Sequence, residues 1–233
     1  MAGSLFVVAT PIGNLTDLTD RARQVFADVE LIACEDTRRT GALLRHLGLA
    51  KKLVSLHEHN ERQRTPALLD QIEAGASAAL VSDAGTPLLS DPGYVLVREA
   101  AARGIRVIPV PGASAALAAL VVSGLPPYPF TFAGFPPPKS GRRRRFFEGL
   151  LRLEHTAVVF ESPHRILKSL DDAIAVFGPS HPASLSRELT KLHEETLYGT
   201  LDEIRGRVAA RDSIKGELVL VLGGDRKQAA RPG

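Results

Sequence analysis

Short β-branched runs alternate with longer helical patterns through the first half of the chain, and this alternation limits the fold more than any other feature. The runs are "LFVVAT", "ELIACE", "KLVSLH", "AALVSD" and "RVIPVP". Between them lie "LTDRARQVFADV", "TRRTGALLRHLGL", "ERQRTPALLDQIEAG" and "PGYVLVREAAARG", whose apolar positions recur at three and four residues. The glycines of "HLGL" and "AARG" stand where a helix stops. A βαβα order of this kind predicts a mainly parallel sheet covered by helices.

The rhythm changes after "VPGASAALAALVVSGLPPYPFTFAGFPPPKSG", where Pro126, Pro127, Pro129 and Pro136 to Pro138 break any continuous helix. Downstream, "TAVVFES", "PASLSREL", "ETLYGTL" and "ELVLVLGG" read as strands, and "RRRRFFEGLLRL", "HRILKSLDDAIAVFG" and "LDEIRGRVAAR" as helices. The close spacing of "SLSREL" and "ETLYGTL" suggests an antiparallel pair, hence a mixed second sheet. The 233 residues are enough for two α/β domains. The expected division is 1–112 and 113–224, joined near Pro111 to Ala115, with 225–233 as a flexible tail. Such a junction is a natural place for a ligand.

Composition narrows the class. Hydrophobic content of 44% and charged content of 24% fit a globular protein with a real core. No apolar run approaches the ~20 residues a membrane span needs. The start "MAGSLFVVATPIGN" lacks the basic and long apolar regions of a signal peptide. The single cysteine, Cys34, excludes an internal disulfide framework and fits a reducing cytoplasm. Inside an apolar strand it reads as core.

Three strand ends carry small-residue loops. In "VSDAGTP", Gly85 permits close backbone approach, Pro87 stiffens the exit and Asp83 offers an acceptor. An ordinary turn followed by a helix capped at Asp91, with Pro92 at its first position, explains the same letters. "ATPIGNLTDLT" places Pro11, Gly13 and Asn14 before a helix capped by Thr16 or Asp17, and "PVPGASAAL" offers Ser114 as a cap. Neither a G-x-G-x-x-G fingerprint nor a Walker loop is present, so dinucleotide and triphosphate binding lack support. Together the three loops suggest a ligand-lined rim.

Further polar clusters have structural readings beside functional ones. "EDTRRT" sets Glu35 and Asp36 beside two arginines, or simply starts a helix capped by Asp36 or Thr37. "SLHEHNERQR" holds His57, Glu58, His59 and Glu61, without H-E-x-x-H or Cys–His spacing, so no metal is expected. "ESPHR" offers Glu161 and His164, with capping by Ser162 and Pro163 in the first turn as the plainer account. "SRELTKLHEE" mixes Arg187, Glu188, Lys191 and His193, as an exposed strand can.

The densest charge is "RRRR", Arg142 to Arg145, with Lys139 before it, in a chain of net charge +3 and pI about 9.2. It lies at an expected helix start, where the macrodipole disfavours cations. With Phe146, Phe147, Leu150 and Leu151 facing the core, the arginines should face out, toward solvent or an anionic partner such as phosphate.

In order, "ATPIGNLTDLTDRA", "CEDTRRTGALL", "LHEHNE", "VSDAGTPLLSDPG", "PVPGASAALAAL", "GFPPPK", "FESPHR", "SRELTKLHEE" and "KGELVLVLGG" cover nearly everything from Leu5 to Gly224. In these motifs the chain resembles the cytidine 2′-O-methyltransferases of small-subunit (16S) ribosomal RNA, within the tetrapyrrole methylase superfamily. The resemblance implies two α/β domains, S-adenosylmethionine bound in the cleft between them, a homodimer, and a cytoplasmic enzyme acting on ribosomal RNA or the assembled small subunit. It assigns the cofactor to Pro11, Ile12, Asp83, Gly85, Thr86, Pro87, Ser114, Ala115, Phe160 and Arg187. Many members of that family continue past the strand matched by "GELVLVLGG" into a small helical segment, whereas this chain ends nine residues later. Any grip on RNA supplied by that segment would here fall to the arginines or to a partner copy.

A ribose 2′-hydroxyl is a poor nucleophile, so a base should help remove its proton; Glu35, Asp36, Glu58 and Glu161 are the candidates. Lys139 and Arg142, Arg143, Arg144 and Arg145 are the expected RNA contacts. Competing readings are a tetrapyrrole C-methyltransferase, whose carboxylate-bearing substrate would also suit arginines, and a non-catalytic RNA-binding or ribosome assembly factor. A phosphate-transfer enzyme ranks below both, lacking its motifs.

Overall fold

The computed structural model describes residues 3–224, and the tail expected at 225–233 lies outside the described residues. The chain divides into two compact units, the first ending at Ser114 and the second starting at Ala115.

The first unit runs β1 (Ser4–Val8), α1 (Asp20–Asp28), β2 (Leu31–Cys34), α2 (Thr37–His46), β3 (Lys52–Ser55), α3 (Glu61–Glu73), β4 (Ala78–Val81), α4 (Tyr94–Ala102) and β5 (Arg106–Val110). Its sheet has the order β3-β2-β4-β1-β5, with every pairing parallel. Helices cover both faces, so central strands must be apolar on both sides. Accordingly "LIAC" of β2 and "AALV" of β4 are buried at every position. On one face Leu5, Leu31, Leu80 and Ala33 meet Leu68, Leu69 and Ile72 of α3 and Leu96 and Ala100 of α4. On the other, Val8, Ile32, Cys34, Ala79 and Val81 meet Ala22, Val25 and Phe26 of α1 and Leu44 of α2. Burial pushes the Cys34 thiol pKa up, as befits a core residue.

Helix starts differ from the sequence expectation in instructive ways. Thr19, rather than Thr16 or Asp17, caps α1 by accepting from Ala22 N at 3.1 Å, because a short 3-10 turn (Leu15–Asp17), capped by Asn14, intervenes. Asp36 does cap α2. Asp91 does not cap α4: the N-cap is Gly93 at φ 122°, where a Cβ would stand 2.6 Å from Leu80 Cδ2. The cap comes instead from α3, where buried Glu61 Oε1 accepts from Val95 N at 2.7 Å and Leu96 N at 3.1 Å. A carboxylate there satisfies orphan donors and meets the positive helix end.

The second unit runs α5 (Ala115–Val122), β6 (Phe130–Phe132), α6 (Ser140–Leu151), β7 (Thr156–Glu161), α7 (Ile166–Phe177), β8 (Pro182–Arg187), β9 (Glu195–Thr200), α8 (Leu201–Ala209) and β10 (Leu218–Leu222). Its mixed sheet has the order β6-β7-β10-β8-β9, with β6 parallel to β7 and the other pairs antiparallel. Strand alternation sorts the core. Ala157, Val159, Leu218, Leu220 and Leu222 pack with α6, α7 and α8, whereas Val158, Val219 and Val221 pack with Ala116, Ala119 and Leu120 of α5. The three-residue β6, set among prolines, was not legible in the sequence. Among the described residues no helix is long and apolar enough to cross a membrane.

Replacing Glu61 with Ala should leave the α4 donors unsatisfied and lower the unfolding free energy by about 1–3 kcal/mol. Urea denaturation checks this, and a variant as stable as the parent would contradict the capping role.

Candidate functional site

A parallel sheet delivers all its strand ends to one edge, and in the first unit three of the loops leaving that edge are bonded together. Thr10, after β1, and Gly85, after β4, exchange backbone hydrogen bonds: Thr10 N donates to Gly85 O at 2.9 Å and Gly85 N to Thr10 O at 3.0 Å. Thr86 Oγ1 donates to Ala113 O, after β5, at 3.1 Å. Small residues make this approach feasible. Gly85 has φ +82°, and a Cβ there would lie 3.2 Å from Ile12 Cγ2; one on Gly112 would lie 3.0 Å from Ala9 Cβ. The result is a rim of backbone and small side chains. A cavity of about 310 Å³ opens beside it, lined by Thr10, Pro11, Leu15, Thr40, Ser82 and Asp83 among others.

Pro11, Ile12, Asp83, Gly85, Thr86, Pro87 and Ser114 therefore share one edge of one sheet. Ala115 opens α5 of the second unit, and Phe160 lies near the end of β7 there. Arg187 ends β8 in the same unit. Its Nε pairs with Glu195 at 2.7 Å, and its Nη1 and Nη2 donate to the carbonyls of Lys215 and His193 at 3.3 and 3.2 Å. Those bonds give its guanidinium a structural task in the β8–β9 pair, where Arg187 faces Glu195.

Carboxylates gather at the same edge of the first unit. Asp83 Oδ1 accepts from Asp36 N at 3.0 Å, and its Oδ2 lies 3.4 Å from Arg39 Nε. Hydrogen bonds from the Arg38 side chain and backbone hold the Asp36 pKa at about 2, so Asp36 is a cap and a poor base. Glu35 differs: among the described residues its carboxylate has no hydrogen-bond or ion-pair partner. Burial, and then the charge of Asp83, push its pKa above the ordinary value, while Arg39 and His57 draw it down. Asp91, which does not cap α4, joins this group. Burial and the charge of Glu35 raise its pKa to about 6, against a hydrogen bond from Ser82.

His57 completes the cluster. Asn60 Oδ1 accepts the His57 amide at 2.8 Å and Asn60 Nδ2 donates to Ser55 O at 3.3 Å. Those two bonds fix the amide's orientation, so Nδ2 also acts as donor to His57 Nε2 at 2.9 Å. In the neutral ring the proton then sits on Nδ1, which is buried without a hydrogen-bond partner. Glu58 and His59 are exposed, and Glu61 is committed to α4. Among the described residues no three His, Cys, Asp or Glu side chains converge as a metal-holding set.

In the second unit two charged clusters are paired. Glu161 is buried; it accepts from Ser162 N at 2.7 Å and from Ser169 Oγ, and pairs with Arg165 at 2.8 Å. Those bonds tie its carboxylate to the segment leading into α7, whose own first turn has no side-chain cap. The arginine run does not face out as a block. Arg143 is only 3% exposed and pairs with buried Asp172 at 2.7 Å, while Leu151 is exposed. Helical periodicity turns one of four consecutive residues inward, and Asp172 of α7 supplies the counter-charge. Burial pushes the Asp172 pKa up, but hydrogen bonds from Arg144, Ser140 and Arg143 outweigh it and hold the carboxyl below its usual range.

Because the folded-state pKa of Asp91 is raised, its stabilising contribution is present below the unfolded value near 4 and is lost as pH climbs through about 6. Asp91→Asn should therefore remove a fall in stability between pH 4 and 6 and raise the melting temperature at pH 7. Parallel melting curves for parent and variant across that window would contradict the assignment.

The sequence pattern of Tetrapyrrole (Corrin/Porphyrin) Methylases matches residues 4–205. A protein of Mesorhizobium japonicum named ribosomal RNA small subunit methyltransferase I is 47% identical over 229 residues, 98% of this chain and 78% of the relative. Its namesake in Escherichia coli O157:H7 is 47% identical over 228 residues, covering 97% and 79%. Among solved structures, a uroporphyrin-III C-methyltransferase from Thermus thermophilus, in complex with S-adenosylhomocysteine, shares the fold. The TM-score is 0.66 at 17% identity, over 97% of this chain and 100% of that one. With both units, their sheet orders and the bonded strand-end loops in place, the chain belongs to the tetrapyrrole (corrin/porphyrin) methylase family, alongside the ribosomal RNA small subunit methyltransferases I.

Proposed function

We propose that the chain transfers a methyl group from S-adenosylmethionine to the ribose 2′-hydroxyl of a cytidine in small-subunit ribosomal RNA, as a cytoplasmic enzyme. The observation that carries this reading is the bonded rim of Thr10, Gly85, Thr86 and Ala113, in a chain nearly half identical to proteins named for that RNA. The cofactor brings a methyl group already activated by positive sulfur. The protein's part is to hold and align, which Pro11, Ile12, Asp83, Gly85, Thr86, Pro87, Ser114, Ala115 and Phe160 would share.

Glu35 would accept the 2′-hydroxyl proton as the oxygen–carbon bond forms, the sulfur–methyl bond breaks and S-adenosylhomocysteine leaves. Of the four candidates it alone combines partial burial, an unpaired carboxylate and a raised pKa. Lys139, Arg142 and Arg145 are exposed, with no ion pair among the described residues, and would bind phosphate; Arg144 is exposed but shares Asp172. A 2′-hydroxyl target selects RNA over DNA. A second copy of the chain would cover the exposed apolar side chains Leu117, Val121 and Val122 of α5.

The direct test incubates the protein and S-adenosylmethionine with small ribosomal subunits, or their naked RNA, from cells lacking the modification, followed by nucleoside mass spectrometry. New 2′-O-methylcytidine is expected; its absence in a preparation that binds the cofactor would contradict the proposal. Glu35→Gln should lower kcat by about 10²–10⁴-fold while leaving S-adenosylhomocysteine affinity intact. An unchanged kcat would remove Glu35 from the role.

A further inference from the structure

The motif "GFPPPK" belongs neither to the rim nor to the carboxylate cluster, yet it is held more firmly than a connecting loop requires. Gly134 to Lys139 leads from β6 to α6. Three of its carbonyls are gripped: Gly134 O by Phe160 N at 3.0 Å, Pro136 O by Arg165 Nη1 at 3.3 Å, and Pro138 O by Arg143 Nη1 at 3.0 Å. The same arginines are anchored on buried carboxylates, Arg165 on Glu161 and Arg143 on Asp172. The prolines fix φ between these points.

Within this clamp Phe135 remains 52% exposed. Its ring meets Phe160 edge-on, centroids 5.5 Å apart at 61°, and Phe160 in turn meets Phe132 at 4.8 Å. A lone exposed apolar residue needs no explanation. An aromatic ring braced by a second, itself packed on a third, on a backbone tied at three carbonyls, is a rigid platform whose ordering cost is met before any ligand arrives. The residues that follow are Lys139, Arg142 and Arg145, all exposed and without an ion pair among the described residues. Four residues of chain place Lys139 within about 14 Å of Phe135 at full extension. A flat apolar face beside unpaired cations suits a base and its phosphates.

We infer that Phe135 is a stacking platform for an unpaired RNA base, with Lys139, Arg142 and Arg145 engaging the adjoining phosphates. This rests on the RNA reading above and adds to it a specific substrate contact. Arg143 and Arg165 are positioning residues that hold the platform.

The test titrates a fluorescein-labelled, single-stranded 12-nucleotide oligocytidine RNA into the protein by anisotropy at several salt concentrations, beside calorimetric binding of S-adenosylhomocysteine. Phe135→Ala and Phe135→Leu should each weaken RNA binding about 5- to 100-fold with an unchanged salt slope, and Phe135→Trp should retain affinity. The leucine variant keeps the side chain's bulk, so its melting temperature should match the parent's and its loss of RNA binding reports the ring. Arg142→Ala with Arg145→Ala should instead flatten the slope of log K against log salt by about 1.4. S-adenosylhomocysteine affinity should be equal throughout. Full RNA affinity in both the alanine and leucine variants would overturn the inference, as would weaker S-adenosylhomocysteine binding with RNA binding intact. If the parent protein bound S-adenosylhomocysteine but no RNA of any kind, the RNA reading itself would fall, and this inference with it.

Discussion

The reciprocal hydrogen bonds between Thr10 and Gly85 are the contact on which the arrangement of the first unit's site depends. β1 and β4 are parallel neighbours, so their ends leave the sheet side by side. The exchanged bonds convert that adjacency into a fixed spacing between two loops. Asp83, two residues before Gly85, is then positioned to accept the Asp36 amide and face Arg39. That bond in turn sets the exit from β2, where Glu35 stands. A single backbone pair thus orders the rim and the neighbouring carboxylate together, through residues that share no sequence proximity.

The second unit solves a different problem, which is how to begin a helix with cations. α6 opens on "SGRRRR" against its own macrodipole. Turning Arg143 inward onto Asp172 offsets part of that cost and occupies a carboxylate that could not stay buried unpaired. Arg144 shares the same carboxylate from the surface. The cations left without partners are those that follow the proline loop, so the same pair that anchors the loop also sorts which arginines remain available.

The layered fold was legible because its signals are local. Continuous apolar strands, helical periodicity and the change of rhythm after Pro111 each act within a few residues, and they gave the parallel and mixed sheets. The three strand-end loops were also legible as a set, since small residues recur at the ends of three strands of one sheet. What could not be read are arrangements closed over long sequence distances. Glu61 caps α4 from 34 residues away, displacing Asp91 from that role and releasing it into the carboxylate cluster. Arg143 and Asp172 meet across α6 and α7, 29 residues apart, so a run of four arginines concealed one buried member. The partners of Glu161 were equally illegible, because only folding brings Arg165 and Ser169 onto its oxygens.

The central claim is that the rim formed where β1, β4 and β5 end receives the methyl donor. A crystal structure of the protein with S-adenosylhomocysteine addresses it most directly. Ligand density is expected against Pro11 and Ile12, the Asp83 to Pro87 loop and Ser114, with the Thr10–Gly85 pair intact beneath it. Density elsewhere on the chain, or a rim whose paired backbone separates when the ligand binds, would contradict it.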